Sequence, residues 1–474
     1  MTAMKAFSLE DQHAFARLSG DANPIHVDPL AARRLQFGEP VVHGVHILLR
    51  ALDGFWAQAG APRALAGVQA VFLRPLRLGR AARVETRGQK ADGARLVVVG
   101  DEGEDLVRIT VRWAAGAPTG TGDFGGPAHR AAPAEPAGFA DLAGTVGVGC
   151  DPVLLARLLP HLAAALPARH LALILATTYL VGMEAPGRHS LFTQLDLTFD
   201  PQPGHGDLAW QVRRFDERFS LLTLGLEAGD ARGEVRALVR AAPVVQAGME
   251  AIAAHVRPGA FAGQRALVVG GSRGLGEVAA KLLAAGGAQV CLTYRTGADE
   301  ARAVADQIDR WNGPEAQAVQ VARFDAASPP AHDLAHDLAT LAQWAPSHLY
   351  YFASPFIQTG QPDRFSHDLF ARFCAVYVAG FVTLAGALRG SLVGAFAPSS
   401  VHVEAPPPTL REYAVAKAAA EFAGAHLLPA GLACTMPRLP VLLTDQTAAL
   451  ADGAMEEACA VLLAALSPSR TGRG

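Results

Sequence analysis

Three short strings hold the residues best suited to chemistry. The first, Leu18-Ser-Gly-Asp21-Ala-Asn23-Pro-Ile-His26, sets a carboxylate and an imidazole on either side of an Asn-Pro turn. Over so short a loop both groups can hold one water and move its proton. The same string also reads as an Asx-turn followed by a surface histidine. The second string is Val269-Gly270-Gly-Ser272-Arg273-Gly274-Leu-Gly276. Its glycines allow a tight turn and let a pyrophosphate approach the free N–H groups of a helix start. The third is Tyr413-Ala-Val-Ala-Lys417, with Ser399-Ser400 upstream. A spacing of four puts the phenol and the ammonium on one helix face, where the ammonium is expected to stabilise phenolate and lower the Tyr413 pKa.

These strings need particular elements beneath them. Arg265–Val269 is a β-branched run, Glu277–Ala285 reads as a helix, Val290–Tyr294 as a strand and Asp299–Asn312 as a helix. Strands alternating with such helices predict a doubly wound parallel sheet. Its second strand ends in Tyr294-Arg295, with no acid before Asp299, and Arg273 lies in the glycine loop. Cations there pair with a 2′-phosphate, so NADP(H) is favoured over NAD, unless both arginines are solvated surface charges. Upstream, two stretches each run helix-rich first and then offer a meander of alternating strands. The strands are expected at Ala82–Arg87, Ala94–Val99 and Leu106–Trp113, then at Leu208–Arg214, Leu221–Glu227 and Gly233–Val239. Any antiparallel sheet repeats such a pattern, so an internal duplication is one of two readings. Ala114–Gly138, almost all Ala, Gly, Pro and Thr, reads as a flexible linker, and a second break falls at Pro258–Gly263. The expected domains are 1–115, 139–245 and 260–474.

The first string, with Val42-His43-Gly44 and the Phe72-Leu-Arg-Pro75 run, resembles the (R)-specific enoyl hydratase motif of the MaoC-like family over about residues 8–113. The resemblance implies a hot-dog fold, with Asp21 and His26 catalytic, Asn23 orienting the loop and the Gly44 N–H polarising a thioester carbonyl. Residues 139–245 lack the motif. Tyr179–Ser190, with Glu184 and His189, looks like a degenerate second hot dog that completes the pairing and shapes an acyl tunnel. Most of residues 262–445 resembles the short-chain dehydrogenase/reductase family. That resemblance assigns carbonyl binding to Ser400, acid/base work to Tyr413, the cofactor ribose to Lys417 and an adenine contact to Asp325. Gly270, Ser272, Arg273, Gly274, Gly276 and Arg295 complete the cofactor set. The sequence departs from that family at Tyr351-Phe-Ala-Ser354 in place of Asn-Asn-Ala-Gly, at Tyr377 in place of a helix asparagine, and at Pro437-Arg438 in place of Pro-Gly. The expected fold is therefore an α+β double hot-dog followed by an α/β Rossmann-type sheet.

Composition narrows the functions. Of 474 residues, 50% are hydrophobic and 18% charged, which is enough apolar material for several cores and excludes global disorder. With 41 basic and 44 acidic residues there is no basic field for nucleic acid. The apolar stretch Pro152–Met183 is broken by Arg157, His161, Arg169 and His170, so no membrane span is expected. Five scattered cysteines without Cys-x-x-Cys spacing indicate neither disulfides nor a thiolate metal site, and place the chain in the cytoplasm. No metal is expected. The combined expectation is a bifunctional enzyme that reduces 3-oxoacyl thioesters with NADPH and reversibly dehydrates the (R)-3-hydroxyacyl product to a trans-2-enoyl thioester. The acyl carrier is a carrier protein or CoA, and the chain is a dimer or tetramer through the reductase domain. A hydratase with a structural or NADPH-sensing reductase-like domain is the first alternative, and a non-catalytic acyl- and nucleotide-binding scaffold the second.

Overall fold

The computed structural model describes residues 2–35, 37–59, 64–114, 125–200, 204–327, 332–447 and 458–467. They form two compact units, Met1–Ala242 and Pro243–Gly474.

In the first unit, β1 (Thr2–Met4) and β2 (Ala64–Phe72) are followed by β3 (Ala82–Lys90), β4 (Gly93–Gly100) and β5 (Asp105–Ala114). A second series repeats the scheme with β6 (Ala143–Val146), β7 (Ser190–Phe199), β8 (Leu208–Asp216), β9 (Leu221–Ala228) and β10 (Ala231–Val239). Alternation explains the strands: in β5, Val107, Ile109, Val111 and Trp113 face the core while Arg108 and Arg112 face out. All ten strands join one sheet in the order β1-β3-β4-β5-β2-β7-β10-β9-β8-β6. Read outward from the seam, each half has the same chain order. The seam is an antiparallel pairing of β2 with β7, from Gly67 opposite Thr198 to Val71 opposite Gln194. One hydrophobic core runs through both halves, so the two pieces expected as separate domains share a single interior.

Two helices fill that interior. Gly44–Ala59 buries Val45, Leu48, Leu49, Leu52 and Trp56. Ala168–Tyr179 is buried over nearly its whole surface and widens at its end into a π-turn, Leu180–Glu184. Such turns are rare and cluster at functional sites. The expected linker needs correction over its described part. Residues 115–124 lie outside the described residues, but residues 125–138 are strapped to this π-turn region. The Ala134 N–H donates to the Met183 carbonyl (2.8 Å), and the Arg188 N–H donates to the Ala134 carbonyl (2.9 Å). Low apolar periodicity hid a segment held through its backbone. The Phe72-Leu-Arg-Pro75 run leaves the ladder at once, since β2 ends at Phe72 and the Leu73 and Arg74 N–H groups both turn to the Leu106 carbonyl (2.8 and 3.3 Å).

The second unit is a six-stranded parallel sheet. Its strands are β11 (Arg265–Val269), β12 (Gln289–Tyr294), β13 (Gln320–Arg323), β14 (His348–Tyr351), β15 (Gly394–Phe396) and β17 (Ala433–Thr435). A separate parallel pair, β16 (Ser399–Ser400) and β18 (Arg438–Leu439), lies after β15 and β17 in the chain. The sheet order β13-β12-β11-β14-β15-β17 reverses direction between β11 and β14, the point where such sheets open a crevice for ligands. This unit begins at Pro243, ahead of the expected 260. Met249, Ile252 and Val256 are buried in its core, and the Lys281 ammonium donates to the Ala247 carbonyl.

A second correction concerns long apolar runs. The helical stretch His367–Ala387 is long and apolar enough to cross a membrane by length and composition. Its Phe373, Val376, Phe381 and Leu384 side chains are buried in the core around β11 and β14. In this unit, that apolarity serves packing against the sheet.

Candidate active sites

The loop between helices Leu9–Ser19 and Pro24–Val27 carries the first site. A Ser8/Asp11 capping box starts the former helix, and Gly20 ends it with φ +78°, a left-handed conformation that glycine adopts without strain. The turn brings Asp21 into the interior, where it is 1% exposed. Its Oδ1 accepts from the Asn23 N–H (3.1 Å) and its Oδ2 from the Thr178 hydroxyl (2.6 Å). His26 follows on the helix that Asn23 caps, and its Nδ1 lies 2.7 Å from the Val41 carbonyl. A carbonyl only accepts, so Nδ1 holds the proton and Nε2 keeps its lone pair. The His26 ring stacks on His43 at 3.8 Å, and one side-chain polar atom from each of Asp21, His26 and His43 falls within 4.8 Å of the others.

Burial moves the two titrating groups toward each other's usual range. It pushes Asp21 up to about 7, against the hydrogen bonds from Thr178 and Asn23. It pushes His26 down to about 4. At neutral pH the imidazole is therefore uncharged while the carboxyl is near half ionisation. Both line a cavity with about 820 Å³ of space not filled by atoms, part of it open to solvent. Gly44, the first residue of its helix, shares the cavity with Phe72, Val107, Val181, Phe192 and Leu238. First-turn N–H groups have no partner within their own helix, which suits Gly44 to an oxygen ligand.

Sequence reasoning reached Asn23 as the loop-orienting residue but missed Thr178, Gly182 and the contacts of His43. Asn23, fully buried, donates its amide to the Gly182 (2.9 Å) and Gly187 (3.1 Å) carbonyls of the second half. A Cβ on Gly182 would lie 2.2 Å from Asp21 Oδ1, so only glycine fits beside the carboxylate. His43 points Nδ1 at Gln12 Oε1 (2.9 Å) and Nε2 at the Asp21 carbonyl (3.0 Å), bracing the loop from below. The one signal in the chain was a Thr-Thr pair closing the apolar run Leu171–Ala176. Glu184 and His189 form no pair. Glu184 binds the Arg130 guanidinium (2.7 Å) and the Tyr179 hydroxyl (3.1 Å), while His189 lies 3.9 Å from Glu135.

In the second unit the glycine string forms the expected turn. Gly270 has φ +76°, and a Cβ on it would lie 3.0 Å from the Ala353 N. A Cβ on Gly276 would strike the Gly270 carbonyl at 2.2 Å. The helix Gly274–Ala285 that follows has no side-chain cap, so its first N–H groups remain for an anion. This cradle fits a dinucleotide. Ser272 is buried beside it, and Arg295 stands exposed at the end of β12. Arg273 lies 3.5 Å from the Asp445 carboxylate, an ion pair that proximity in sequence could not reveal. Asp325 lies just past β13, where Oδ1 accepts from the Ala327 N–H (3.0 Å).

Ser400, Tyr413 and Lys417 converge at the end of β16 and on the helix Arg411–His426. Ser400 and Tyr413 are both buried, and the Ser400 hydroxyl, which accepts from the His402 N–H (3.2 Å), acts on the Tyr413 phenol. The expectation of a lowered Tyr413 pKa is corrected: burial raises it, and the Ser400 hydrogen bond only opposes that rise. The ammonium lies 5.9 Å from the Tyr413 ring centre, too remote to offset desolvation. Lys417 donates to the Pro398 carbonyl (2.8 Å) and sits 4.0 Å over the Tyr377 ring centre. Burial pushes it down to about 7. The Tyr377 hydroxyl is 2.7 Å from Ser354 Oγ, so two of the departures from the reductase pattern touch one another.

The chain is 34% identical over 103 residues to the peroxisomal multifunctional enzyme type 2 of Drosophila melanogaster, covering 21% of this chain and 17% of that protein. It is 50% identical over 36 residues to the peroxisomal hydratase-dehydrogenase-epimerase of Saccharomyces cerevisiae, covering 8% and 4%. The chain thus spans less than a fifth of the curated relatives it matches. Solved structures similar to it include a short chain dehydrogenase from Burkholderia cenocepacia in complex with NADP (26% identity, 43% of this chain and 89% of that one, TM-score 0.37). An angucycline C-6 ketoreductase with bound NADP is also similar (23% identity, 45% and 91%, TM-score 0.39). Residues 3–104 match the model of the MaoC like domain. The loop that carries Asp21, Asn23 and His26, and the helix that opens on Gly44, therefore belong to a MaoC-like domain.

Proposed function

We propose that the chain is a two-site enzyme of acyl thioesters, a double hot-dog hydratase joined to an NADPH-dependent reductase. The observation that carries the first activity is an Asp21 carboxyl near neutrality beside an uncharged His26, both on one cavity. In the dehydrating direction the Asp21 carboxylate removes the C2 proton of a 3-hydroxyacyl thioester, and His26 Nε2 holds the C3 hydroxyl. The Gly44 N–H stabilises the thioester oxygen as charge develops on it. Asp21 then returns its proton to the departing hydroxyl, which leaves as water, and a trans-2-enoyl thioester remains. Hydration is the reverse.

At the second site, bound NADPH supplies hydride to a 3-oxoacyl carbon. Ser400 holds the carbonyl oxygen, and Tyr413, kept protonated by burial, has a proton to give it. Gly270, Ser272, Gly274 and Gly276 would hold the pyrophosphate, Arg295 with Arg273 a 2′-phosphate, Asp325 the adenine and Lys417 the ribose. Tethering the two sites raises the local concentration of their shared intermediate. The carrier is a carrier protein or CoA, with no nucleic acid or membrane partner and no metal. Val415 and Phe422 stand 48% and 63% exposed on the helix Arg411–His426, an apolar face that supports a dimer or tetramer through this unit. Five unpaired cysteines suit a reducing, cytoplasmic setting.

The test follows enoyl absorbance and NADPH oxidation separately, with crotonyl and acetoacetyl thioesters. Asp21→Asn is expected to lose only the first activity and Tyr413→Phe only the second. A wild type inert to enoyl thioesters overturns the hydratase reading, and unchanged NADPH oxidation in Tyr413→Phe overturns the reductase reading. Tyr377 beneath Lys417 favours one second reading, in which the hydratase alone turns over and the other unit binds NADPH without reacting.

A further inference from the structure

We infer that Thr178, from the half of the first unit that lacks the Asp-x-Asn-Pro-x-His string, is a positioning residue whose hydroxyl holds the Asp21 carboxylate in its ionised, base-competent form. The inference rests on the reading of Asp21 as the base of the hydratase. Thr178 is 3% exposed near the end of an almost wholly buried helix. A buried hydroxyl needs a partner. Its neighbour Thr177 takes the ordinary one, donating back to the Ile174 carbonyl (2.7 Å). Thr178 instead turns to Asp21 Oδ2 at 2.6 Å, across 157 residues of chain.

The surroundings leave Oδ2 little else. From its own loop, Asp21 receives the Asn23 N–H, but on Oδ1. From the segment before the Gly44–Ala59 helix comes His43, whose Nε2 is 3.9 Å from Oδ2 and nearer the Asp21 carbonyl. His26 completes the cluster and is uncharged at neutral pH, and Arg240 acts on His26 through its charge. From the second half, the other close neighbour is Gly182, whose π-turn position brings bare backbone against the carboxylate. A hydroxyl donating to a carboxylate stabilises the charged form against desolvation, so its removal favours the protonated acid. The half that gives this carboxylate no titrating partner thereby sets when the other half can accept a proton.

The test compares wild type, Thr178→Val and Thr178→Ser in the full chain, by carbon-13 NMR titration of the Asp21 carboxyl and by the pH dependence of enoyl-thioester hydration. Val keeps the shape and deletes the donor, whereas Ser keeps the donor. In Thr178→Val the Asp21 midpoint is expected to move alkaline by about one pH unit, with the acid limb of the rate following it. Hydration at pH 7 then falls about fivefold and recovers near pH 9, while Thr178→Ser stays close to wild type. The inference is overturned if Thr178→Val titrates as wild type does, or if its rate falls equally at every pH. A wild type that hydrates no thioester, with the titration still separating Val from Ser, sinks the hydratase reading and leaves the hydrogen bond standing.

Discussion

The two halves of the ten-stranded sheet share one strand order, yet they bring different chemistry to the same cavity. The first half supplies the carboxyl and the imidazoles that cluster there, Asp21, His26 and His43. The second supplies neutral groups, namely the Thr178 hydroxyl, the bare backbone of Gly182 and the carbonyls that receive Asn23. Its own counterparts have turned away, since Glu184 is held by Arg130 and Tyr179, and His189 faces Glu135. On the proposed reading, a sheet of two like halves that needs one site lets one half keep the acid–base pair while the other serves as its mould. The mould is demanding because the interior is close-packed.

The comparison breaks first at Asp21. On the proposed reading Asp21→Asn removes the proton acceptor and keeps the volume, and loss of a positioned general base lowers rates by about 10²–10⁴-fold. In the wild type the sign of the pH dependence follows from direction. With its carboxyl raised to about 7, hydration should climb from acid toward neutral pH with a midpoint near 7. His26, depressed to about 4, adds no limb in that range. A rate that rises instead around ordinary carboxylate pH would show Asp21 to be solvated, contrary to its burial.

Next comes the mould. Gly182→Ala places a methyl 2.2 Å from Asp21 Oδ1 and 2.5 Å from its Cγ. Buried and held on both oxygens, the carboxylate must shift, and misplacement of a reacting group by about 1 Å costs on the order of 10²-fold in rate. Measured kcat should fall by that order, with His189 and the cofactor-binding unit untouched. Equal rates in Gly182→Ala and wild type would mean that the second half is only scaffold.

How much of this was legible depended on chain separation. Asp21, Asn23 and His26 lie in one turn, so one string of letters reported all three. Gly270, Gly274 and Gly276 did the same for the dinucleotide cradle, and the β-branched runs around them revealed the parallel sheet. Thr178 and Gly182 act across the β2–β7 seam, more than 150 residues away, and a lone threonine carries no motif. Burial was equally hidden. Four residues separate Tyr413 from Lys417, which made a lowered phenol pKa plausible, but only the packed interior shows that desolvation dominates. The apolar stretch His367–Ala387 passed unnoticed because Asp368 and Arg372 sit among its apolar residues, and its role became clear only when Phe373 and Phe381 met the sheet.

The same contrast between group and mould recurs, more weakly, in the second unit. Tyr377 offers Lys417 its ring face at 4.0 Å and spends its hydroxyl on Ser354. Tyr377→Phe keeps the ring and loses the hydroxyl, whereas Tyr377→Leu loses both. A cation over an aromatic face is worth about 0.5–2 kcal/mol. NADPH affinity should therefore weaken by up to about tenfold in Tyr377→Leu and stay near wild type in Tyr377→Phe. Equal weakening in both variants would assign the effect to Ser354 instead.

The smallest effect is expected at His189, and it is the sharpest check on the division between halves. Its sequence position, five residues after Glu184, mimics that of His26 after Asp21. If the second half kept a working pair, His189→Ala would cost as much as a lost general base. The structure separates the two side chains: Glu184 is neutralised by a cation, and His189 lies 3.9 Å from the exposed Glu135 with its pKa lowered by burial. Exposed or half-exposed pairs of this kind contribute about 0–1 kcal/mol. Hydration by His189→Ala should stay within about twofold of wild type across the pH range, since no proton passes through it. A loss approaching that of Asp21→Asn would place a second acid–base site in the half assigned here the role of mould.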